Sequence, residues 1–179
     1  MVDSDPGGSA PQHRVVVGVS GSLGSLAALH RAVLEARYRA AQLLVVHAWE
    51  APGGERGYRR YPASPLLEAA YAAAAETLDE ALAWGGSAGA GDVALVGELV
   101  RGAPGAALVA AADREQDLLV VGAGGGLLRR GLWPSVAGHC VKRARGAVLV
   151  VPRPPLQREL ESFRRRVRWH LPTEPVPGR

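Results

Sequence analysis

Cysteine is nearly absent: Cys140 stands alone among 179 residues, which excludes an internal disulfide framework and any multi-cysteine metal site. Aromatic residues make up only 5% of the chain, too few for a broad platform on which nucleic-acid bases stack. No apolar run approaches the length of a membrane span. The first residues, MVDSDPGGSAPQHR, lack the basic and apolar regions of a secretory signal, so the expected location is the cytoplasm. Histidines occur in none of the H-x-x-x-H or H-x-H spacings that hold a metal. No internal repeat is present.

Charge is unevenly placed. The net charge is +4, and the segment from Arg153 to Arg179 carries all of it, with seven arginines against three glutamates. Residues 1–152 balance 14 basic against 14 acidic side chains. The basic character therefore belongs to an appendage rather than to the body of the protein, and it gives no strong nucleic-acid signal.

What the chain does contain is a regular alternation. Val15–Val19, Leu43–Ala48, Val93–Val100, Leu118–Val121 and Val148–Val151 are short apolar runs of the kind that form buried parallel strands. Between them, Leu23–Tyr38, Pro65–Trp84, Pro104–Asp113 and Ser135–Ala144 have helical spacing. Leu26, Leu29, Val33 and Leu34 form the expected buried stripe of the first helix. Leu67, Tyr71, Ala74, Leu78 and Leu82 form that of the second. Residues 49–64, rich in Gly, Pro and Arg, read as a loop.

Such a β-α-β-α-β-α-β-α-β order predicts an α/β fold, a doubly wound five-stranded parallel sheet with helices on both faces. Three regions follow: a disordered N-terminus over 1–13, one domain over 14–152, and a basic tail over 153–179. In the tail Leu156, Leu160, Phe163, Val167 and Leu171 sit at the spacing of a short amphipathic helix. Packing on the domain or on a partner protein is its simplest role, and contact with an anionic membrane or with nucleic acid the sharper one.

The ligand site of a doubly wound sheet lies at the carboxyl ends of its strands. Two segments face that position. One is Ser20-Gly21-Ser22-Leu23-Gly24-Ser25, and the other is GAGGGLLRRG with the Pro134–Ser135 helix start beyond it. The second segment is neither a Walker loop nor a G-x-G-x-x-G fingerprint, since Leu127 occupies the third glycine position.

Four pieces in order, VVVGVSGSLGSLAAL, LLVVHAW, LVRGAPGAALVAAADREQDLLVVGAG and SVAGHCVKRARGAVLVVP, resemble the universal stress protein family over roughly residues 14–152. The resemblance implies a five-stranded sheet of the adenine nucleotide alpha-hydrolase-like kind. It also implies a stress-response module that binds ATP or AMP, in the former case with Mg2+, and forms a homodimer through the last strand, Ala147–Val151. By position, Gly122 and Gly125 let the backbone approach phosphates, with Val121 leading into them. Ser135 and Val136 supply helix N-terminal N–H groups. Gly18 and Ser20 flank the adenosine, and Ala48 meets adenine through its backbone. Binding members carry G-x2-G-x9-G-[ST], whereas here the loop is one residue shorter and Pro134 removes one donor. Ser20 also stands where such members have Asp. Arg129 and Arg130 are the compensating cations.

Two other readings come from the residues. Ser20–Ser25 is similar to the S-G-G-x-D-S loop of ATP pyrophosphatases, with Gly24 replacing the acidic residue, which implies an adenylating enzyme. The plainer account is a Gly/Ser turn that caps the first helix. The alternative to both is a nucleotide-free dimeric interaction module. No nucleophile, general base or metal cluster stands out, so the protein is not expected to be an enzyme beyond slow incidental ATP hydrolysis. His47 is expected to be a histidine satisfied by backbone, and Cys140 a small core residue. Asp113, Glu115 and Asp117 read as a solvated turn.

Overall fold

A computed structural model describes residues 13–62, 64–87, 91–124 and 135–155. The expectations for the N-terminal twelve residues and for the tail beyond Pro155 lie outside the described residues. Five strands form one parallel sheet: β1 (Arg14–Val19), β2 (Gln42–Trp49), β3 (Leu95–Arg101), β4 (Leu118–Gly122) and β5 (Ala147–Val151). Their order is β3-β2-β1-β4-β5. Helices α1 (Leu23–Tyr38), α2 (Gly54–Arg60), α3 (Pro65–Ser87), α4 (Pro104–Ala111) and α5 (Val136–Arg143) connect them. The doubly wound fold expected from the alternation is the one observed. No helix among the described residues is long and apolar enough to cross a membrane.

The apolar runs are continuous because both faces of the sheet are covered. Val15, Val17 and Val19 of β1 join Leu43, Val45, Leu118 and Val120 under α1 and α3. Val16 joins Leu44, Val46, Leu119 and Val121 under α4 and α5, with Leu108, Ala137 and Cys140. Cys140 is thus a core residue, and burial pushes its thiol above the ordinary value.

Several expectations are corrected. The α1 stripe is made of Gly24, Ser25, Ala28, Leu29, Ala32, Val33 and Ala36, while Leu34 is 43% exposed. Small residues win this face because they let the helix sit close on β1 and β4. The α3 stripe is Ala74, Leu78, Ala81 and Gly85, and Tyr71 is 53% exposed. At 23 residues α3 is about 34 Å long, more than the strands it covers, so its first turns overhang the sheet. Tyr71 there makes an edge-to-face contact with Trp49, with ring centroids 5.6 Å apart.

Residues 49–64 also include a helix, α2, where a loop was expected. Its hold is tertiary. The Arg101 guanidinium stacks on the Tyr58 ring at 3.6 Å and lies 3.8 Å from Glu55. Finally, Asp117 belongs to no solvated turn: its side chain has 0% exposure and is gripped by Arg14.

Candidate functional site

The sheet opens where its winding reverses. Pairing of β1 with β2 continues to Val19–His47, and pairing of β4 with β5 continues to Gly122–Val151. Between β1 and β4 it stops at Val17–Val120. Past that pair the two central strands part. The chain leaving β1 enters α1 on one face, and the chain leaving β4 leads to α5 on the other. This is the crevice in which doubly wound sheets hold ligands.

Its first wall is Ser20–Ser25. Gly21 has φ +67°, a backbone conformation that glycine adopts without steric cost, and it turns the chain sharply out of β1. Ser22 is the N-cap of α1, accepting from the Ser25 N–H at 3.2 Å. The buried Ser25 hydroxyl accepts from the Ser20 N–H at 3.1 Å and donates to the Ser22 carbonyl at 2.8 Å. This is the capping turn that the plainer reading anticipated. Ser25 is a structural element of it, with its hydroxyl engaged on both sides. The exposed hydroxyls of Ser20 and Ser22 lie 3.1 Å apart and share a hydrogen bond.

On the neighbouring strand, His47 of β2 pairs with Val19 at the end of β1. Its Nδ1 lies 2.9 Å from the Val19 carbonyl. A carbonyl only accepts, so this contact places the proton on Nδ1 in the neutral ring. The expected backbone-satisfied histidine is found.

The second wall begins at Gly122. A Cβ on this residue would lie 2.7 Å from the Gly24 carbonyl oxygen, so glycine is required for the end of β4 to meet the first turn of α1. The next residue, Ala123, donates its N–H to the Val151 carbonyl at 2.7 Å. Gly124 follows with φ +29°. The wall resumes at Ser135, the N-cap of α5, whose hydroxyl accepts from the Gly138 N–H at 3.0 Å. The Ser135 carbonyl accepts from the His139 N–H at 2.8 Å. Helix geometry leaves the N–H groups of Val136 and Ala137 without intrahelical acceptors. Such a helix start suits an anion.

The structure thus joins Ser20, through the α1 turn, to Gly122, and sets Ser135 and Val136 at the start of α5. Gly18 immediately precedes Val19, and a Cβ there would lie 2.7 Å from the Leu108 side chain of α4, which fills the space. Only its backbone is available. Ala48 is half-buried near the end of β2, paired with Val100. Val121 is buried in the core beneath α4 and α5. Gly125, Arg129, Arg130 and Pro134 lie outside the described residues. Sequence reasoning missed Arg153, whose Nη2 donates to the Gly124 carbonyl at 3.1 Å. A signal existed: an arginine just after a strand parallel to β4 emerges at the same sheet edge as the crevice.

Two cavities bordered by described residues lie elsewhere. One of about 500 Å³ opens at the opposite edge of the sheet, between Arg37, Gln42 and Asp92. Another of about 210 Å³ separates α2 from the start of α3, walled by Tyr58 and Tyr61. The described residues contain no group of three or more His, Cys, Asp or Glu side chains arranged to hold a metal ion.

Comparison with known proteins agrees with this geometry. The model of the universal stress protein family matches residues 12–152. A universal stress protein whose crystal structure is a complex with cAMP is 32% identical, the match covering 82% of this chain and 100% of that one, with a TM-score of 0.59. UspA from Lactobacillus plantarum is 24% identical over 80% of this chain and 99% of its own, with a TM-score of 0.63. A universal stress protein from Archaeoglobus fulgidus in complex with dAMP is 23% identical over 77% and 96%, with a TM-score of 0.55. These last two likenesses speak to the fold. No curated protein matches the chain.

Proposed function

The chain belongs to the universal stress protein family, and from that premise we propose that it is a cytoplasmic regulatory module that binds an adenine nucleotide between the ends of β1 and β4. The observation that carries this reading is the parting of β1 and β4 after Val17–Val120, with a glycine at the end of β4 pressed against the start of α1. A strand gap flanked by two helix starts offers unpaired N–H donors and positive dipole ends to one phosphate. The 32% identical protein that was crystallised with cAMP supports the same ligand class.

The residues fit such a ligand in kind. The Ser20 hydroxyl is exposed and suits a ribose hydroxyl. The N–H groups of Val136 and Ala137 suit phosphate oxygens, and Gly122 with Gly125 keeps the chain thin where the phosphate approaches. Ala48 is assigned to adenine through its backbone, beside Gly18 and Val121. Arg129 and Arg130 supply charge to the phosphates, whose own oxygens hold Mg2+ when ATP is the ligand. The crevice walls described above present donors rather than a nucleophile with its base, so the role is binding and signalling, without efficient turnover.

The module also pairs with a second copy. β5 is an edge strand whose Ala147 and Val150 are exposed, and edge-to-edge pairing of two copies continues the sheet. Calorimetry of the purified full chain with AMP, cAMP and Mg-ATP, after analysis of any co-purified nucleotide, tests the binding reading. Saturable heat is expected, together with a melting-temperature rise equivalent to about 2.7 kcal/mol at a hundred times Kd. Absence of heat, of retained nucleotide and of any thermal shift near millimolar ligand would sink it.

A further inference from the structure

None of the residues of α2 is buried. The helix is entered through Gly53 and Gly54, with φ +76° and +65°, a backbone region that glycine adopts without steric cost. Its tie to the sheet is Arg101 at the end of β3, whose guanidinium stacks on the Tyr58 ring at 3.6 Å. Between α2 and the start of α3 lies the hollow of about 210 Å³, walled by Pro52, Tyr58, Tyr61, Ser64, Leu66 and Leu67. Apart from Ser64 these walls are apolar or aromatic, and Tyr61 and Leu66 are 62% and 65% exposed. Large apolar side chains left wet on both sides of a gap favour an apolar occupant. A cavity of about 150 Å³ holds benzene, so this one takes a single ring with a substituent.

Charge around the hollow selects the substituent. The Arg60 guanidinium lies 6.0 Å from the Tyr61 ring centroid, and Arg101 lies on Tyr58, so each tyrosine wall carries a cation. The carboxylate of α2, Glu55, is already taken by Arg59 at 3.1 Å and Arg101 at 3.8 Å. Arg56 and Arg60 have no carboxylate partner among the described residues. We propose that the hollow between α2 and α3 is a second small-molecule site, which takes a planar aromatic ring bearing one carboxylate. The ring packs among Tyr58, Tyr61 and Leu67 and gives α2 the apolar contact that it lacks, with aromatic pairing adding to the area covered. The carboxylate pairs with Arg60, a solvent-screened contact that selects an anion over a neutral ring by a modest factor. The site shares no residue with the crevice between β1 and β4, and it stands or falls independently of the nucleotide reading.

The test is an amide-shift titration of the full chain, labelled with nitrogen-15, using benzoate and phenol as probes. For a ligand of about nine non-hydrogen atoms, a Kd of about a millimolar is expected for benzoate. The shifts should centre on the amides of Tyr58, Tyr61 and Leu67, with phenol shifting the same amides about fivefold more weakly. Arg60→Glu should weaken benzoate about fivefold and leave phenol unchanged, as expected when one exposed charge is reversed. Tyr61→Ala should weaken both probes by a similar factor, because it removes a wall and no charge. Both side chains lie on the surface, so the melting profile of each variant should match the wild type. The inference is overturned if no saturable shift appears below about 20 mM benzoate. It is equally overturned by shifts centred on Gly18, Ser20 and Ser135 instead, by equal affinity for the two probes, or by an Arg60→Glu variant that binds benzoate as the wild type does.

Discussion

Arg14, the first residue of β1, holds the carboxylate of Asp117 with two nitrogens, Nε at 3.1 Å from Oδ1 and Nη2 at 2.6 Å from Oδ2. The Asp117 side chain is fully buried at the edge of the sheet opposite the crevice, and it also accepts from the Arg114 N–H at 3.1 Å. One ion pair therefore ties the first strand to the turn that precedes the fourth. Arg14→Met should destabilise the protein by about 3 kcal/mol, since it leaves a buried carboxylate without its cation. Asp113→Ala should cost far less than Arg14→Met, because that partner is exposed and its ion pair is screened by solvent. Urea unfolding of both variants separates the two roles, and equal losses would contradict the assignment.

Asp113 nonetheless gives the protein a pH signature. The hydrogen bond from Arg14 holds its carboxyl below the ordinary value of 3.8. A carboxyl depressed in the folded state contributes stability above its unfolded value, and that contribution is lost as pH falls through the folded value. The melting temperature of Asp113→Asn should therefore fall less steeply than that of the wild type below about pH 4. Parallel curves would show that Arg14 does not act on this group. The guanidinium itself is raised by the hydrogen bond to Asp117 and does not titrate in this window.

Gly122→Ala should damage stability and binding together. The added Cβ would lie 2.7 Å from the Gly24 carbonyl oxygen and 3.1 Å from its carbon, both backbone atoms that cannot rotate aside. The expected cost is about 1–3 kcal/mol, as for overpacking in a tight core. Displacing α1 from the end of β4 should also weaken AMP binding. A variant within about 0.5 kcal/mol of wild type, binding AMP normally, would refute the contact on which the site depends.

Dimerisation through β5 is tested by charge. Val150→Lys places an ammonium on an exposed position of the edge strand, a device that opposes edge pairing. Wild-type protein should elute as a dimer in light-scattering chromatography and the variant as a monomer with an unchanged melting profile. A variant that remains dimeric would move the interface elsewhere.

Much of the fold was legible because its signals are local. Leu118–Val121 is apolar without interruption and Val15–Val19 is interrupted only by Gly18, as a strand covered on both faces needs. Ser22 and Ser135 each precede a helical segment, and both cap it. Elements held by distant partners were not legible. The helix Gly54–Arg60 has no buried residue of its own and owes its place to Arg101, some forty residues away in sequence. Tyr71 and Leu34 match helical stripes in spacing, yet the length of α3 and the small-residue face of α1 leave them exposed.

The candidate site divides in the same way. The glycine-rich segment, the Ser20 turn and the Ser135 helix start could be named from residue types, because turn and cap chemistry acts within three or four positions. Their meeting could not: it depends on strand order, which brings Gly122 onto Gly24 and Gly124 onto Arg153. By itself the sequence determined the five strands, the helices between them other than Gly54–Arg60, the family and the chemistry available at the strand ends. Only the tertiary structure decided that Asp117 is buried with Arg14, that Gly18 lies beneath Leu108, and that the chain leaving β5 anchors the glycine connection. The reason is range. Periodicity and capping are read over one or two turns, whereas ion pairs and close backbone contacts are set by segments that are far apart in the chain and adjacent only in the folded sheet.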